Sequence, residues 1–182
     1  MTVDLLAALA FAARQHTGQR RKGADEAPYV NHVIDVAHRL AQAGVTDRAT
    51  LLAAVLHDTV EDTGATPDEI AAMYGADVAA LVGEVTDDKS LPKDERKRLQ
   101  VAHAPTMSDA ARRLKMADKA SNVRDVGAHP PDGWPHERLV AYLDWAEAVV
   151  DGCRSASPAL AAAFDAELAE ARRRVDGEAA AR

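Results

Sequence analysis

The chain has 182 residues, a length typical of one domain, and 47% of them are hydrophobic whereas only 4% are aromatic. The formal net charge of −7 argues against a general nucleic-acid-binding or membrane-surface protein. Because there is a single cysteine, a disulfide framework is excluded, and we expect a soluble protein of the reducing cytoplasm.

The first predicted helix runs from Thr2 to about His16 and ends before Gly18. Its apolar part, residues 5–13, has the composition of a signal-peptide core, but it follows the acidic Asp4 instead of a basic leader. It is also far shorter than the roughly 20 residues that a membrane-spanning helix needs. We therefore interpret this segment as a buried amphipathic helix.

Helix signals then follow one another along the chain with short breaks. Alanine is frequent throughout, and no alternating strand pattern, internal repeat or interdomain linker is present. The predicted helices cover residues 28–44, 46–58, 67–75, 76–85, 93–103, 108–126, about 136–150 and 157 onwards, with a capping box at Thr66–Glu69 and a turn at 130–133. The sequence thus predicts an all-α bundle of about eight to ten helices whose last helix frays after Arg172.

Four side chains in these helices suit one divalent metal ion. They are His32 in the second helix, the adjacent pair His57 and Asp58 at the end of the third, and Asp118 in the helix after Pro105. Imidazole together with carboxylate binds ions such as Mn²⁺, Fe²⁺ or Zn²⁺. Each residue alone also fits a surface or capping role. In addition, a His-Asp dipeptide often occurs by chance.

The segment from His57 to Thr63 favours the metal site. If the third helix continues, Glu61 and Asp62 lie one turn beyond His57 and Asp58, and polar groups crowd one end of an apolar helix. A metal site with a neighbouring acid/base pair explains three carboxylates in this place. The chemistry would be hydrolysis at phosphorus, with Glu61 or Asp62 transferring a proton.

Two segments, Arg20–Lys22 and residues 89–98, are locally basic on this acidic chain. They fit either a site for a small anionic ligand or solvated loop and helix faces, and charge alone does not decide between the two.

The ordered motifs of this chain resemble the hydrolase domain of RelA/SpoT-type alarmone enzymes, above all the small single-domain (p)ppGpp hydrolases, including the animal form. The resemblance covers about residues 4–155 and rests on Arg21-Lys22, Pro28–His32, His57–Thr63, Lys115–Lys119 with Asn122, and Gly133-Trp134. It implies one HD-type domain over residues 1–182, with a C-terminal helix and tail at about 157–182. It leaves no room for a synthetase domain.

The resemblance also implies roles for single residues. His32, His57, Asp58 and Asp118 would bind one Mn²⁺ ion, and Glu61 with Asp62 would form the catalytic pair. Arg21 would stack on guanine; the other implied substrate contacts are Lys22, Lys93 and Arg138 to phosphates, and Asn122 and Tyr142 to the nucleoside. Arg20, Lys97 and Arg98 are expected to be solvated. The reaction would release pyrophosphate from the 3′ position of ppGpp or pppGpp, leaving GDP or GTP.

Two departures from the bifunctional enzymes, the long loop between Lys22 and Pro28 and the pair Ala120-Ser121, bear on the nucleotide contacts more than on the metal ligands. One alternative is a phosphatase acting on another nucleotide, such as the 2′-phosphate of NADPH. Another is a nucleotide sensor without turnover, whose mark would be a broken ligand set; the ligand set here is intact.

Overall fold

Helices make up nearly all of the regular structure in the computed structural model, which describes the backbone of residues 2–180 and the side chains of residues 2–177. Over this range the α-helical segments are α1 Thr2–Gln15, α2 Val30–Gln42, α3 Arg48–Leu56, α4 Thr59–Asp62, α5 Pro67–Tyr74, α6 Ala76–Val85, α7 Lys93–His103, α8 Asp109–Ala128, α9 His136–Asp151 and α10 Pro158–Ala180. Extended pairing in the same range is limited to two isolated bridges, and the predicted all-α fold is confirmed. No described helix combines the length and apolar character needed to cross a membrane.

Several helices begin at side-chain caps that the sequence predicts. The Asp47 carboxylate accepts the Thr50 backbone N–H at 2.8 Å at the start of α3. Thr66 and Glu69 form the reciprocal capping box of α5, and Ser108 caps α8. Because these caps satisfy N–H groups that no helical carbonyl can reach, they fix where each helix starts.

The third helix stops short of the His-Asp pair, so the predicted bounds 46–58 reach too far at the C-terminal end, and the continuation considered for Glu61 and Asp62 forms a separate short helix. α3 ends at Leu56, and the short α4 begins at Thr59. Side chains compete here for backbone acceptors: the Thr59 hydroxyl donates to the Leu56 carbonyl at 2.7 Å, and His57 Nδ1 lies 2.8 Å from the Ala54 carbonyl oxygen. Neighbouring residues of a regular helix point in different directions, and this break allows His57 and Asp58 to approach one point.

Helix α8 lies in the middle of the bundle, in contact with α2, α3, α6, α9 and α10. Its apolar side chains Leu114, Met116, Ala117 and Val123 are buried. Asp118 and Asn122 lie in the middle of this helix, where it passes α2 and the His-Asp segment.

The C-terminal helix packs along α8 and α9 farther than expected. Phe164, Leu168, Ala171 and Val175 are buried, and Arg172 pairs with Asp144 and Glu147 of α9. The helix extends to Ala180, so the prediction that it frays after Arg172 is wrong for the described residues. The buried side chains are three or four residues apart, which is the spacing of one helical face.

Helices α8 and α10 approach each other closely at Gly127, and this contact gives a stability prediction. A Cβ at Gly127 would lie 2.5 Å from Ala171 Cα, so we expect Gly127→Ala to destabilise the fold by about 1 to 3 kcal/mol through overpacking. Urea unfolding followed by circular dichroism would measure it. The matched control is Gly83→Ala in α6, where a Cβ meets no atom within 4 Å. We expect that control to raise the free energy of unfolding by up to about 1 kcal/mol, and equal effects at both positions would contradict the packing argument.

Candidate active site

Side chains from α2, α8 and the break between α3 and α4 converge on one point. His32 Nε2 lies 3.2 Å from Asp118 Oδ1 and 3.6 Å from Asp58 Oδ2. His57 Nε2 lies 3.2 Å from the same Asp58 oxygen and 3.9 Å from Asp118 Oδ1. The four residues predicted as metal ligands are therefore brought together, and His32, His57 and Asp118 form a group that could hold a metal ion.

Both histidines present an Nε2 atom to this point. His57 Nδ1 is engaged by the Ala54 carbonyl and therefore carries the proton, while its buried Nε2 has no hydrogen-bond partner. His32 Nδ1 lies 3.1 Å from the Ser121 hydroxyl. Metal-binding histidines are commonly oriented by a hydrogen bond from their second ring nitrogen. The unpartnered Nε2 of His57 is thus explained by a ligand, and the donor set fits a divalent cation.

The charges of the cluster also favour a cation. Burial lowers the pKa of His57, but the carboxylates of Asp58 and Asp118 outweigh burial and raise it to about 9. Burial also acts against the charged form of Asp118, yet Lys119 at 2.9 Å and His32 hold the pKa of this carboxyl well below its ordinary value. The carboxylates remain ionised and draw positive charge into the site, as a proton or as a metal ion.

Tyr29 orients one of the carboxylates and was not predicted as a site residue. Its hydroxyl donates to Asp58 Oδ2 at 2.6 Å and lies 3.4 Å from Asp62 Oδ2. Burial and these two carboxylates raise the pKa of Tyr29, which keeps the phenol protonated as a donor. The ring stacks on the buried His16 with centroids 4.7 Å apart. The sequence signal was present, because Tyr29 lies three residues before His32 within the motif.

We expect Tyr29→Phe to weaken metal binding by roughly 10-fold while the fold persists, because the ring packing stays and only the hydroxyl is lost. Calorimetric titration of metal-free protein with Mn²⁺ would measure the change in the dissociation constant. Tyr74→Phe is the matched control, since that hydroxyl contacts the Ala7 carbonyl of α1, remote from the cluster. Unchanged metal affinity in Tyr29→Phe would remove Tyr29 from the site.

Glu61 and Asp62 lie next to the cluster in α4 and are held by the loop between α6 and α7. The Asp87 backbone N–H donates to Glu61 Oε2 at 3.0 Å. The Lys89 ammonium lies 2.5 Å from Asp62 Oδ1 and 3.5 Å from Glu61 Oε1. Burial raises the pKa of Glu61. A carboxylate with a raised pKa beside a candidate metal site is suited to accept a proton near neutral pH.

A cleft of about 440 Å³ lies beside the cluster, between the loop after α1 and helices α7, α8 and α9. Five of the six predicted substrate residues line it: Arg21, Lys22, Lys93, Asn122 and Tyr142. The sixth, Arg138, is not among the lining residues. Its guanidinium lies 4.1 Å from the centroid of the Trp134 ring, and Trp134 does line the cleft. Lys89 and Arg96 also line the cleft and were not predicted individually.

The residues expected to be solvated divide into two groups. Arg98 is exposed and pairs with Glu95 on the outer face of α7. Arg20 is exposed as expected, although it lines the cleft, whereas Lys97 is half-buried in the wall of the cleft, so the expectation is wrong for Lys97. Helical spacing explains the difference between Lys97 and Arg98. Lys97 lies one turn after Lys93 on the face of α7 that borders the cleft, whereas Arg98 is rotated away from that face.

Arg21 is positioned by other side chains of the cleft. Its Nε donates to Asp125 Oδ2 at 3.0 Å and its guanidinium donates to Asn122 Oδ1 at 2.7 Å. Asn122 in turn donates to Asp118 Oδ1 at 2.6 Å, which connects Arg21 to the candidate metal site. The guanidinium also lies 5.6 Å from the centroid of the Tyr29 ring. Its plane is thus fixed at one side of the cleft, where a flat base could stack on it.

Comparison with known proteins connects this geometry to a family. The family model described as HD domain matches residues 8–141. The protein named guanosine-3′,5′-bis(diphosphate) 3′-pyrophosphohydrolase MESH1 is 53% identical in Homo sapiens over 82% of this chain and 84% of that protein. The chain belongs to the HD-domain ppGpp hydrolase family. The MESH1 protein of Xenopus tropicalis is 49% identical over 88% of this chain and 90% of its own length.

The fold of this family is also confirmed by a solved structure. It is described as a metazoan ortholog of SpoT that hydrolyses ppGpp and plays a role in starvation responses. The two structures superpose with a TM-score of 0.87 and 46% identity, over 90% of this chain and 93% of the other. The predicted resemblance to the RelA/SpoT-type hydrolases and to their animal form is therefore confirmed.

Proposed function

We propose that this chain is a metal-dependent guanosine-3′,5′-bis(diphosphate) 3′-pyrophosphohydrolase, which converts ppGpp into GDP and pyrophosphate. One observation supports this above the others. The cluster of His32, His57, Asp58 and Asp118 lies beside the Glu61–Asp62 pair at a basic cleft, within a family whose relatives carry this activity in their names.

His32, His57, Asp58 and Asp118 would hold one divalent ion, and Mn²⁺ is our first candidate. Such an ion, when bound, lowers the pKa of a water molecule and neutralises charge on a phosphoryl oxygen. Nitrogen and oxygen donors without a thiolate accept several ions of this class, so metal availability also enters the choice.

The residues of the chain would divide the remaining work. Glu61, buried and held by the Asp87 N–H, would accept the proton of the attacking water. The water oxygen forms a bond to phosphorus, the bond from phosphorus to ribose O3′ breaks, and O3′ takes up a proton to give GDP. Asp62, the next residue and ion-paired with Lys89, would relay to O3′ the proton that Glu61 accepts. Pyrophosphate is released, and the 5′-diphosphate stays on the nucleoside as part of GDP.

The walls of the cleft would position the nucleotide. Arg21 would stack on guanine, Lys22, Lys93 and Arg138 would attract phosphates, and Asn122 and Tyr142 would contact the nucleoside. A cationic cleft on a chain with a net charge of −7 raises the local concentration of a polyanionic substrate. A cytoplasmic location, inferred from the lone cysteine, stays a prediction.

The test is to incubate purified protein with Mn²⁺ and ppGpp, identify the products, and measure bound metal on the same sample. We expect GDP and pyrophosphate in equal amounts. Bound metal without release of pyrophosphate would contradict the proposal. Release of orthophosphate from NADPH, with ppGpp left intact, would instead identify a nucleotide phosphatase, and nucleotide binding without turnover of either compound would identify a sensor.

A further inference from the structure

Lys97 occupies an unusual position in the wall of the cleft. Its ammonium lies 4.6 Å from the centroid of the Trp145 ring and 5.5 Å from that of Tyr142. The Trp145 indole N–H donates to the Lys97 carbonyl oxygen at 3.1 Å, so the ring is attached to the backbone of α7 and not to the lysine side chain. The ammonium is therefore held on an aromatic surface by a cation–π contact.

The charge of Lys97 is not balanced by an ion pair. Among the described residues Lys97 forms no ion pair with a carboxylate, whereas Lys119, whose ammonium lies equally close to the Trp145 ring, is paired with Asp118. Burial and the cations Lys93, Lys119 and Arg138 lower the pKa of Lys97, and they outweigh the opposite effect of the Asp94 carboxylate. Each of these neighbours would be stabilised by an anion placed near Lys97.

We propose that Lys97 is a phosphate-binding residue, and that its ammonium leaves the ring of Trp145 to pair with a phosphate of the bound nucleotide. The proposal rests on the proposed function, which supplies a nucleotide with a diphosphate at each of two positions. A charge-assisted hydrogen bond to phosphate is stronger than the cation–π contact of a half-buried ammonium, so the exchange is favourable. The flexible four-carbon stem of lysine permits the movement.

The two products of the proposed reaction carry the two candidate phosphate groups separately. Pyrophosphate represents the 3′ group, GDP carries the 5′ group, and guanosine carries neither. We would measure their dissociation constants by calorimetry on protein loaded with Mn²⁺ and freed of excess metal. The variants are Lys97→Met, which keeps the length of the side chain but removes its charge, and Lys97→Arg, which keeps the charge.

We expect Lys97→Met to weaken binding of pyrophosphate or GDP by about 10-fold and to leave guanosine unchanged. The ligand that is weakened identifies the diphosphate that Lys97 contacts. Lys97→Arg should retain most of the affinity. The matched control is Arg98→Met, which removes a charge from the outer face of the same helix, where Arg98 pairs with Glu95, and should change none of the three constants.

A second measurement follows the movement itself. The chain has two tryptophans, so Trp134→Phe leaves Trp145 as the only indole. In that background we expect the ligand that Lys97 contacts to change the emission of Trp145, and Lys97→Met to abolish most of this change. A lysine that only stabilises the fold would not produce a response that depends on phosphate.

The proposal is overturned if Lys97→Met leaves pyrophosphate and GDP binding unchanged, or weakens guanosine as much as GDP. Failure of the proposed function looks different. In that case the wild-type protein releases no pyrophosphate from ppGpp, and the GDP and guanosine titrations, repeated on metal-free protein, still report whether Lys97 binds phosphate.

Discussion

Asp58→Ala is expected to lose both bound metal and turnover. The Asp58 carboxylate lies within 3.6 Å of the Nε2 atoms of both His32 and His57, so its removal takes one oxygen ligand and one negative charge from the proposed site. We expect kcat/KM for ppGpp to fall by at least about 10⁴-fold, since the chemistry of the site depends on the ion. Metal analysis by mass spectrometry on the purified variant, next to product release, would measure both effects.

Two further variants separate loss of the ligand from loss of the fold. Asp58→Asn keeps the volume of the side chain and an acceptor for the Tyr29 hydroxyl, yet removes the charge, so we expect it to lose most of the metal as well. Asp68→Ala removes a carboxylate from the exposed start of α5 and should behave as wild type. If Asp58→Ala retained one metal ion per chain at wild-type affinity, Asp58 would be excluded as a ligand.

The convergence of the four candidate metal ligands could be predicted only in part from the sequence. Helical spacing places His32 and Asp118 on defined faces of α2 and α8, and the resemblance to a family joins them to His57 and Asp58. The break that aims the adjacent pair at one point was not predicted. The break depends on hydrogen bonds from Thr59 and His57 to backbone carbonyl oxygens. Threonine and histidine occur both inside helices and at helix ends, so their presence in the sequence does not show where the helix stops.

The last helix shows an error of a different kind. Phe164, Leu168, Ala171 and Val175 recur at helical spacing, which predicts a buried face, but alanine and paired charges around them make the segment look solvated. Burial of so small a side chain as Ala171 depends on Gly127 of α8 lying directly opposite. Contacts of this kind join residues far apart in the chain, so composition underestimated the length of the ordered helix.

The basic segment 89–98 illustrates the limit for charged residues. Its lysines and arginines look alike in sequence, yet Arg98 pairs with Glu95 outside, Lys89 pairs with Asp62 of α4, and Lys97 lies on Trp145. The partners of the last two come from α4 and α9. The negative charge of the ligand could therefore be predicted from the sequence. Which basic residue contacts which phosphate or carboxylate group could not.

Glu61→Gln is expected to keep the metal and lose the rate, which separates proton transfer from metal binding. The amide oxygen of glutamine can still accept the Asp87 N–H that holds Glu61 in place, so the loop and the cleft should be preserved. A neutral amide cannot take the proton of the attacking water, and we expect kcat to fall by about 10² to 10⁴-fold with little change in KM. Metal content and steady-state kinetics on one preparation would measure this.

The pH profile of the same pair gives a sharper comparison. Burial raises the pKa of Glu61, and a base works only when it is deprotonated, so wild-type kcat should fall as the pH decreases through this raised pKa. Glu61→Gln has no group to titrate there, and its residual kcat should lack that acidic limb. An acidic limb unchanged in the variant would assign the proton acceptor to another residue, and the neighbouring Asp62 would then be tested by the corresponding Asp62→Asn change. Loss of metal in Glu61→Gln equal to that in Asp58→Ala would instead make Glu61 a ligand and overturn the division of roles between the two carboxylates.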